Sequence, residues 1–301
     1  MSGVDLDKVG LIVEGGGLRA MFGAGVLDHF LTCSIHFPYV SGVSAGALYS
    51  ASYVSRQHKR NLNIQLKYHD DPRYMGMKHL LKTGSYVNTP FTFHAMAKQL
   101  VPYDFDMLFN MKEVFEVGAF NCKTGKTDYF SSQQLTTQDQ VLESLIATSS
   151  LPFISKPMMI NNMPYLDGGI MDPIPAEHAF ESGCDRLVII LSQHASYRKL
   201  AMKMDLACRI ACYKYPKLYQ ALHSRHEHYN KALDNIAEWE RQGKVFVIRP
   251  QAPSDIARLE KDKNKVKLRY EEGVTEAKAS WGALQRWLAT PVVATNSRQV
   301  I

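Results

Sequence analysis

A serine set between two glycines, in Gly42-Val43-Ser44-Ala45-Gly46, constrains this chain more than any other feature. The run before it, Phe37-Pro38-Tyr39-Val40-Ser41, is short, apolar and bounded by a proline, which predicts a buried strand. The run after it, Ala45 to Val54, is rich in alanine and small residues and predicts a helix. A serine at such a junction lies in a sharp turn. The flanking glycines leave room for the turn, and the hydroxyl is presented at the helix N-terminus, as an activated nucleophile requires. Alone, the pentapeptide fits an ordinary turn as well, because glycine and serine are common in loops.

Two further motifs accompany it. Lys8 to Val13 reads as a first strand that runs into Glu14-Gly15-Gly16-Gly17-Leu18-Arg19-Ala20 and then into a helix through about Phe30. Three consecutive glycines let backbone N–H groups converge, and such a nest binds negative charge. Gly15-x-Gly17-x-x-Ala20 fits a tolerant dinucleotide fingerprint. That reading needs an acidic residue roughly 20 positions on, and Thr32 through Tyr53 contain none. An oxyanion hole, which uses the same amides, is therefore preferred. A phosphate loop at Gly125-Lys126-Thr127 fails, because Phe120 stands where its leading glycine belongs. The third motif is Tyr165-Leu166-Asp167-Gly168-Gly169, after a short apolar stretch and a turn-like Asn161-Asn162. Asp-Gly-Gly also reads as a plain hairpin turn. Beside the other two motifs it offers the base that a serine nucleophile needs.

In order and spacing, these three blocks resemble the patatin-like phospholipase family. The context of Ser149-Ser150-Leu151-Pro152 and of Asp172-Pro173-Ile174-Pro175 with Ala179 is similar too. The resemblance covers residues 8 to 195, which would form the catalytic domain. Residues 196–301 would be a helical and strand region completing or extending it, and Lys267 to Ala277 looks like a closing helix of bacterial members. The resemblance implies an α/β chain with a three-layer α/β/α fold and a mostly parallel central sheet. It implies a Ser–Asp dyad, with Ser44 as nucleophile and Asp167 as general base and acid. Gly15, Gly16, Gly17, Leu18 and Arg19 would form the oxyanion hole, and Gly42, Gly46, Gly168 and Gly169 would support the motifs. No cofactor or metal is implied. The chain departs from the family at Ala20, where glycine is usual, and at Asp172, where asparagine is common; both bear on substrate rather than chemistry.

An α/β-hydrolase triad would place a histidine after the acid, and His178 and His194 are candidates. Ser44, however, follows only the second strand, earlier than such elbows normally occur, so the dyad is preferred. The chain has 301 residues, 46% hydrophobic and 21% charged, which is ordinary for a globular enzyme. No run approaches the roughly 20 apolar residues of a membrane span. Met1 to Lys8 lacks the apolar core of a signal peptide. The five cysteines are odd in number and scattered, which points to reduced thiols, a cytoplasmic setting and no metal site.

The remaining pattern alternates strands and helices, with an interruption at residues 60–110. That stretch is rich in aromatic and methionine residues and reads either as a lid or acyl-pocket wall or simply as core. Val114 to Phe120 and Thr127 to Phe130 predict a hairpin, and Arg186 to Leu191 and Val245 to Arg249 predict strands. Residues 197 to 241 read as an amphipathic helix with Leu200, Met204, Cys208, Ala211, Tyr215, Leu218 and Leu222 on one stripe. The segment is also basic. It reads as a solvated helix packed on the domain or, through residues 197–225, as a peripheral contact with an anionic membrane surface. The formal net charge of +6 suits either reading, and no nucleic-acid motif is present.

The leading function is hydrolysis of phospholipid or other acyl esters. A serine acyltransferase or thioesterase is the alternative, weakened by Val43, where malonyl-type elbows carry histidine. Head group, acyl length and oligomeric state are not legible.

Overall fold

The computed structural model describes residues 6–203 and 206–290. In chain order its elements are β1 (Val9–Val13), α1 (Met21–Thr32), β2 (Tyr39–Val43), α2 (Ala45–Val54), α3 (Arg60–Tyr68), α4 (Met77–Thr83), a π-helix (Pro90–Leu100) and α5 (Phe105–Asn110). There follow β3 (Val114–Asn121), β4 (Thr127–Ser131), α6 (Gln138–Ser149), β5 (Met158–Ile160), β6 (Met163–Asp167) and α7 (Ala176–Glu181). The chain ends with β7 (Arg186–Ile190), α8 (Leu206–Ala211), α9 (Pro216–Arg241), β8 (Val245–Ile248) and α10 (Lys263–Ala289).

All eight strands join one sheet in the order β5-β6-β3-β2-β1-β7-β8, with β4 also paired to β3. The centre, β3 to β8, is parallel, and the pairs β3–β4, β3–β6 and β5–β6 are antiparallel. The central strands β1 and β7 are almost wholly apolar because both faces are covered. Leu11, Val13, Val188 and Ile190 pack with α1, α2 and α10 on one side. Ile12, Leu187 and Ile189 pack with α7 and α9 on the other. The result is a three-layer α/β/α fold with a mostly parallel sheet.

One stretch follows the second of its two readings, and another differs from expectation. Residues 60–110 form helices with a separate apolar cluster of Ile64, Tyr68, Tyr74, Phe91 and Met96. Phe93, Tyr103 and Phe105 join the main core, Phe109 is exposed, and none of that stretch lines the cleft at Ser44. Residues 197–241 are not one helix. Tyr197 to Lys203 has no helical backbone, and α8 is separated from α9 by a break. Pro216 is the first residue of α9 and forbids continuation through Tyr215, because a residue before proline is driven out of the helical region. Leu218 and Leu222 of the expected stripe are buried, whereas Leu200 is 86% exposed. Met204 lies outside the described residues.

Candidate active site

Ser44 follows β2 directly, at φ 55° and ψ −133°, a strained backbone for a residue with a side chain. The turn is held by Thr148 near the end of α6. Its Oγ1 accepts from the Ser44 N–H at 2.8 Å and donates to the Gly118 carbonyl at 2.6 Å. Gly42 lies in β2 and Gly46 in the first turn of α2, on either side of the elbow.

The pairing of β3 explains why Asp167 is nearby. Along one edge of β3, β2 pairs through Val43 opposite Gly118. At Ala119 that edge passes to β6, with Asp167 opposite. The end of β6 therefore meets the end of β2, and residues 43 and 167 flank consecutive residues of β3. The junction is tight: a Cβ on Gly168 would lie 2.2 Å from the Gly118 carbonyl oxygen and 3.0 Å from Val43. Asp167 is 3% exposed, and its Oδ1 accepts from the Gly169 N–H at 2.8 Å. The Gly169 carbonyl in turn accepts from Arg225 Nε of α9 at 2.7 Å.

After β1, Gly15 packs on Ser44, where a Cβ would stand 2.8 Å from the Ser44 Cβ, and Gly16 and Gly17 line the same cleft. Gly17 has φ +61°, and a Cβ there would stand 2.4 Å from the Arg258 carbonyl oxygen, so only glycine fits. The amides of Gly16 and Gly17 have no backbone acceptor among the described residues. Leu18 departs from the expected hole: the short 3-10 turn at Gly17–Ala20 aims its N–H at the Arg258 carbonyl, 3.0 Å away, and its side chain is buried. Arg19 braces the nest from behind, with Nε donating to the Gly16 carbonyl at 3.4 Å.

Ser44, Asp167, Gly15, Gly16, Gly17, Gly169 and Arg19 line one cleft of about 50 Å³. The sequence reading missed several of its other walls. Glu14 is buried, with Oε1 accepting from Tyr229 at 2.5 Å and Oε2 from the Ser192 N–H at 2.6 Å. Lys199, Arg225 and Arg258 complete the rim. Only the basic composition of residues 197–225 hinted at the first two.

Among the described residues no histidine lines this cleft. His178 instead bonds to Glu116 at 2.7 Å and stacks on Tyr129 with ring centroids 3.5 Å apart. His194 bonds to Ser196 at 3.0 Å. Asp172 faces the same network as His178. It accepts from the Tyr129 hydroxyl at 2.5 Å, and burial raises its pKa. Among the described residues no group of acidic, histidine or cysteine side chains is placed to hold a metal.

A family model described as patatin-like phospholipase matches residues 11–180, and one described as a domain of unknown function (DUF6363) matches residues 215–289. The uncharacterized protein YjjU of Escherichia coli (strain K12) is 29% identical over 187 residues, which is 61% of this chain and 51% of that protein. The chain thus spans about half the length of this curated relative. A crystal structure of VipD from Legionella pneumophila aligns over 90% of this chain and 66% of its own, with a TM-score of 0.40 and 11% identity. With the first model matching more than half of its residues, including all three motifs, this chain belongs to the patatin-like phospholipase family.

Proposed function

We propose that this protein is a lipid acyl hydrolase of phospholipase A or lysophospholipase type, working through Ser44 and Asp167. The observation that carries the reading is the handover on β3 from β2 to β6, which brings the buried carboxylate to the strained serine. Ser44 Oγ attacks the ester carbonyl carbon while its proton passes to Asp167. The carbonyl oxygen becomes an oxyanion and is held by the Gly16 and Gly17 amides, with Gly15 and Arg19 shaping and charging the nest. Collapse breaks the bond to the leaving alcohol, which takes the proton back from Asp167. Water, deprotonated by Asp167, then attacks the acyl-serine, and Ser44 leaves with that proton. That no histidine lines the cleft among the described residues supports a dyad rather than a triad.

The enzyme would work at a membrane surface. Leu200, Leu206, Ile210 and Tyr213 are exposed and alternate in sequence with Lys199, Lys203, Arg209 and Lys214, and Leu200 lines a cavity next to the cleft. Apolar groups among cations suit an anionic lipid interface. Among the described residues no helix is long and apolar enough to cross a membrane.

Labelling with a fluorophosphonate tests the chemistry. An adduct on Ser44 is expected, absent in Ser44→Ala and at least tenfold slower to form in folded Asp167→Ala. An unlabelled wild-type protein, with anionic vesicles present, would exclude the reading.

A further inference from the structure

Positive charge converges on the cleft from four separate parts of the chain. Arg19 comes from the turn after β1, Lys199 from the segment after β7, Arg225 from α9 and Arg258 from the loop after β8. Cations on one helix face are usually just solvated; cations gathered around a cavity from distant segments are there to meet something. Among the described residues none of the four lies in an ion pair. Two carboxylates, Glu14 and Asp167, share the cleft with them. Both oxygens of Glu14 are already taken by Tyr229 and Ser192, and Asp167 accepts from Gly169. Four basic side chains, three of them arginines, outnumber the two carboxylates and leave the cleft positive.

The same four line an adjoining cavity of about 360 Å³, whose other walls include Leu200, Met202 and Leu222. This cavity has room for a head group and is lined by both cationic and apolar side chains. Burial, then Arg225 and Arg258, pull the Lys199 ammonium down to about 7. Burial also lowers the pKa of Arg225 and of Arg19. Charges held in this way are relieved by a bound anion.

We propose that Lys199, Arg225 and Arg258, with Arg19 behind them, select acyl esters whose head group is a bare phosphomonoester over those ending in an ammonium. A phosphomonoester carries close to two negative charges near neutral pH and offers three acceptor oxygens. In the larger cavity a choline or ethanolamine ammonium would face these four basic side chains, and no carboxylate lines that cavity among the described residues. The proposal rests on the Ser44 reading for its chemistry, and three of its four residues lie outside the segment matched by the patatin model.

The test compares lysophosphatidic acid with lysophosphatidylcholine of the same acyl chain, with p-nitrophenyl butyrate as a head-group-free ester. The wild-type protein is expected to favour the phosphomonoester at least tenfold in kcat/KM. Lys199→Met and Arg258→Met are each expected to cut that ratio about tenfold. If the p-nitrophenyl ester is cleaved but the two lipids are cleaved equally, or the ratio does not move in the variants, the selection is overturned and the Ser44 chemistry stands. If no ester is cleaved, calorimetry with glycerol 3-phosphate decides. Millimolar or tighter binding that weakens at least tenfold in both variants supports the subsite, and no binding to the wild-type protein overturns it.

Discussion

Ser44 cannot hold its elbow alone. A φ of 55° in a residue with a Cβ persists only where neighbours over-determine it. Thr148 is the neighbour that does so through hydrogen bonds, joining the Ser44 N–H to the Gly118 carbonyl. Removing its hydroxyl leaves a buried donor and acceptor unmatched, at a cost of about 1–3 kcal/mol. Thr148→Val is therefore expected to lower kcat on a soluble ester by about tenfold to a hundredfold with little change in KM. Thr148→Ser, which keeps the hydroxyl, should stay within about threefold of wild type; steady-state kinetics on the two variants check this. Ser44, the glycine nest and Asp167 were readable as residues because each stands in a distinctive local pattern. Thr148 was not. A threonine late in a helix looks ordinary until β3 brings a carbonyl and an elbow to it.

At the level of elements, α10 is pressed against α1 more closely than side chains allow. A Cβ on Gly273 would stand 1.9 Å from the Phe22 carbonyl oxygen, and one on Gly25 would stand 2.1 Å from that of Tyr270. Tyr270 also donates to Asp28 at 2.8 Å across the same contact. Helix propensity alone predicts that Gly273→Ala stabilises a helix interior by about 1 kcal/mol. Overpacking predicts the opposite, a loss of about 1–3 kcal/mol. The close approach decides the sign, so thermal unfolding should show a Tm lowered by several degrees. A raised Tm would mean that the two helices are not in contact as described. Strands and helices through α2 were legible from period and turn residues, as was the hairpin of β3 and β4. The long helix read over residues 197–241 was not correct, because a recurring apolar spacing continues across Pro216 while the backbone cannot.

For the whole molecule, charge and exposed apolar surface bear on where it works. Net charge of +6 is a property of the entire chain, but Leu206 (71% exposed) and Ile210 sit one helical turn apart on α8, among lysines and arginines. Burying one such side chain in an interface is worth about 1.5–3 kcal/mol. The paired variant Leu206→Ser with Ile210→Ser should thus lose at least about tenfold in partitioning to anionic vesicles at low salt. Co-sedimentation measures it, and unchanged partitioning would remove α8 from the contact. The amino-acid sequence alone determined the family and the three-layer architecture, through the order and spacing of its motifs, and it singled out the proposed serine, aspartate and glycine nest because each stands in a distinctive local pattern. Tertiary structure alone decided the rest. It passed one edge of β3 from β2 to β6, so that residues far apart in sequence meet. It withdrew the Leu18 amide toward Arg258, and it drew Lys199, Arg225 and Arg258 around a cleft that their local surroundings do not announce. Spacing along a chain encodes local backbone geometry; the charge and shape of a cavity arise only where distant segments pack together.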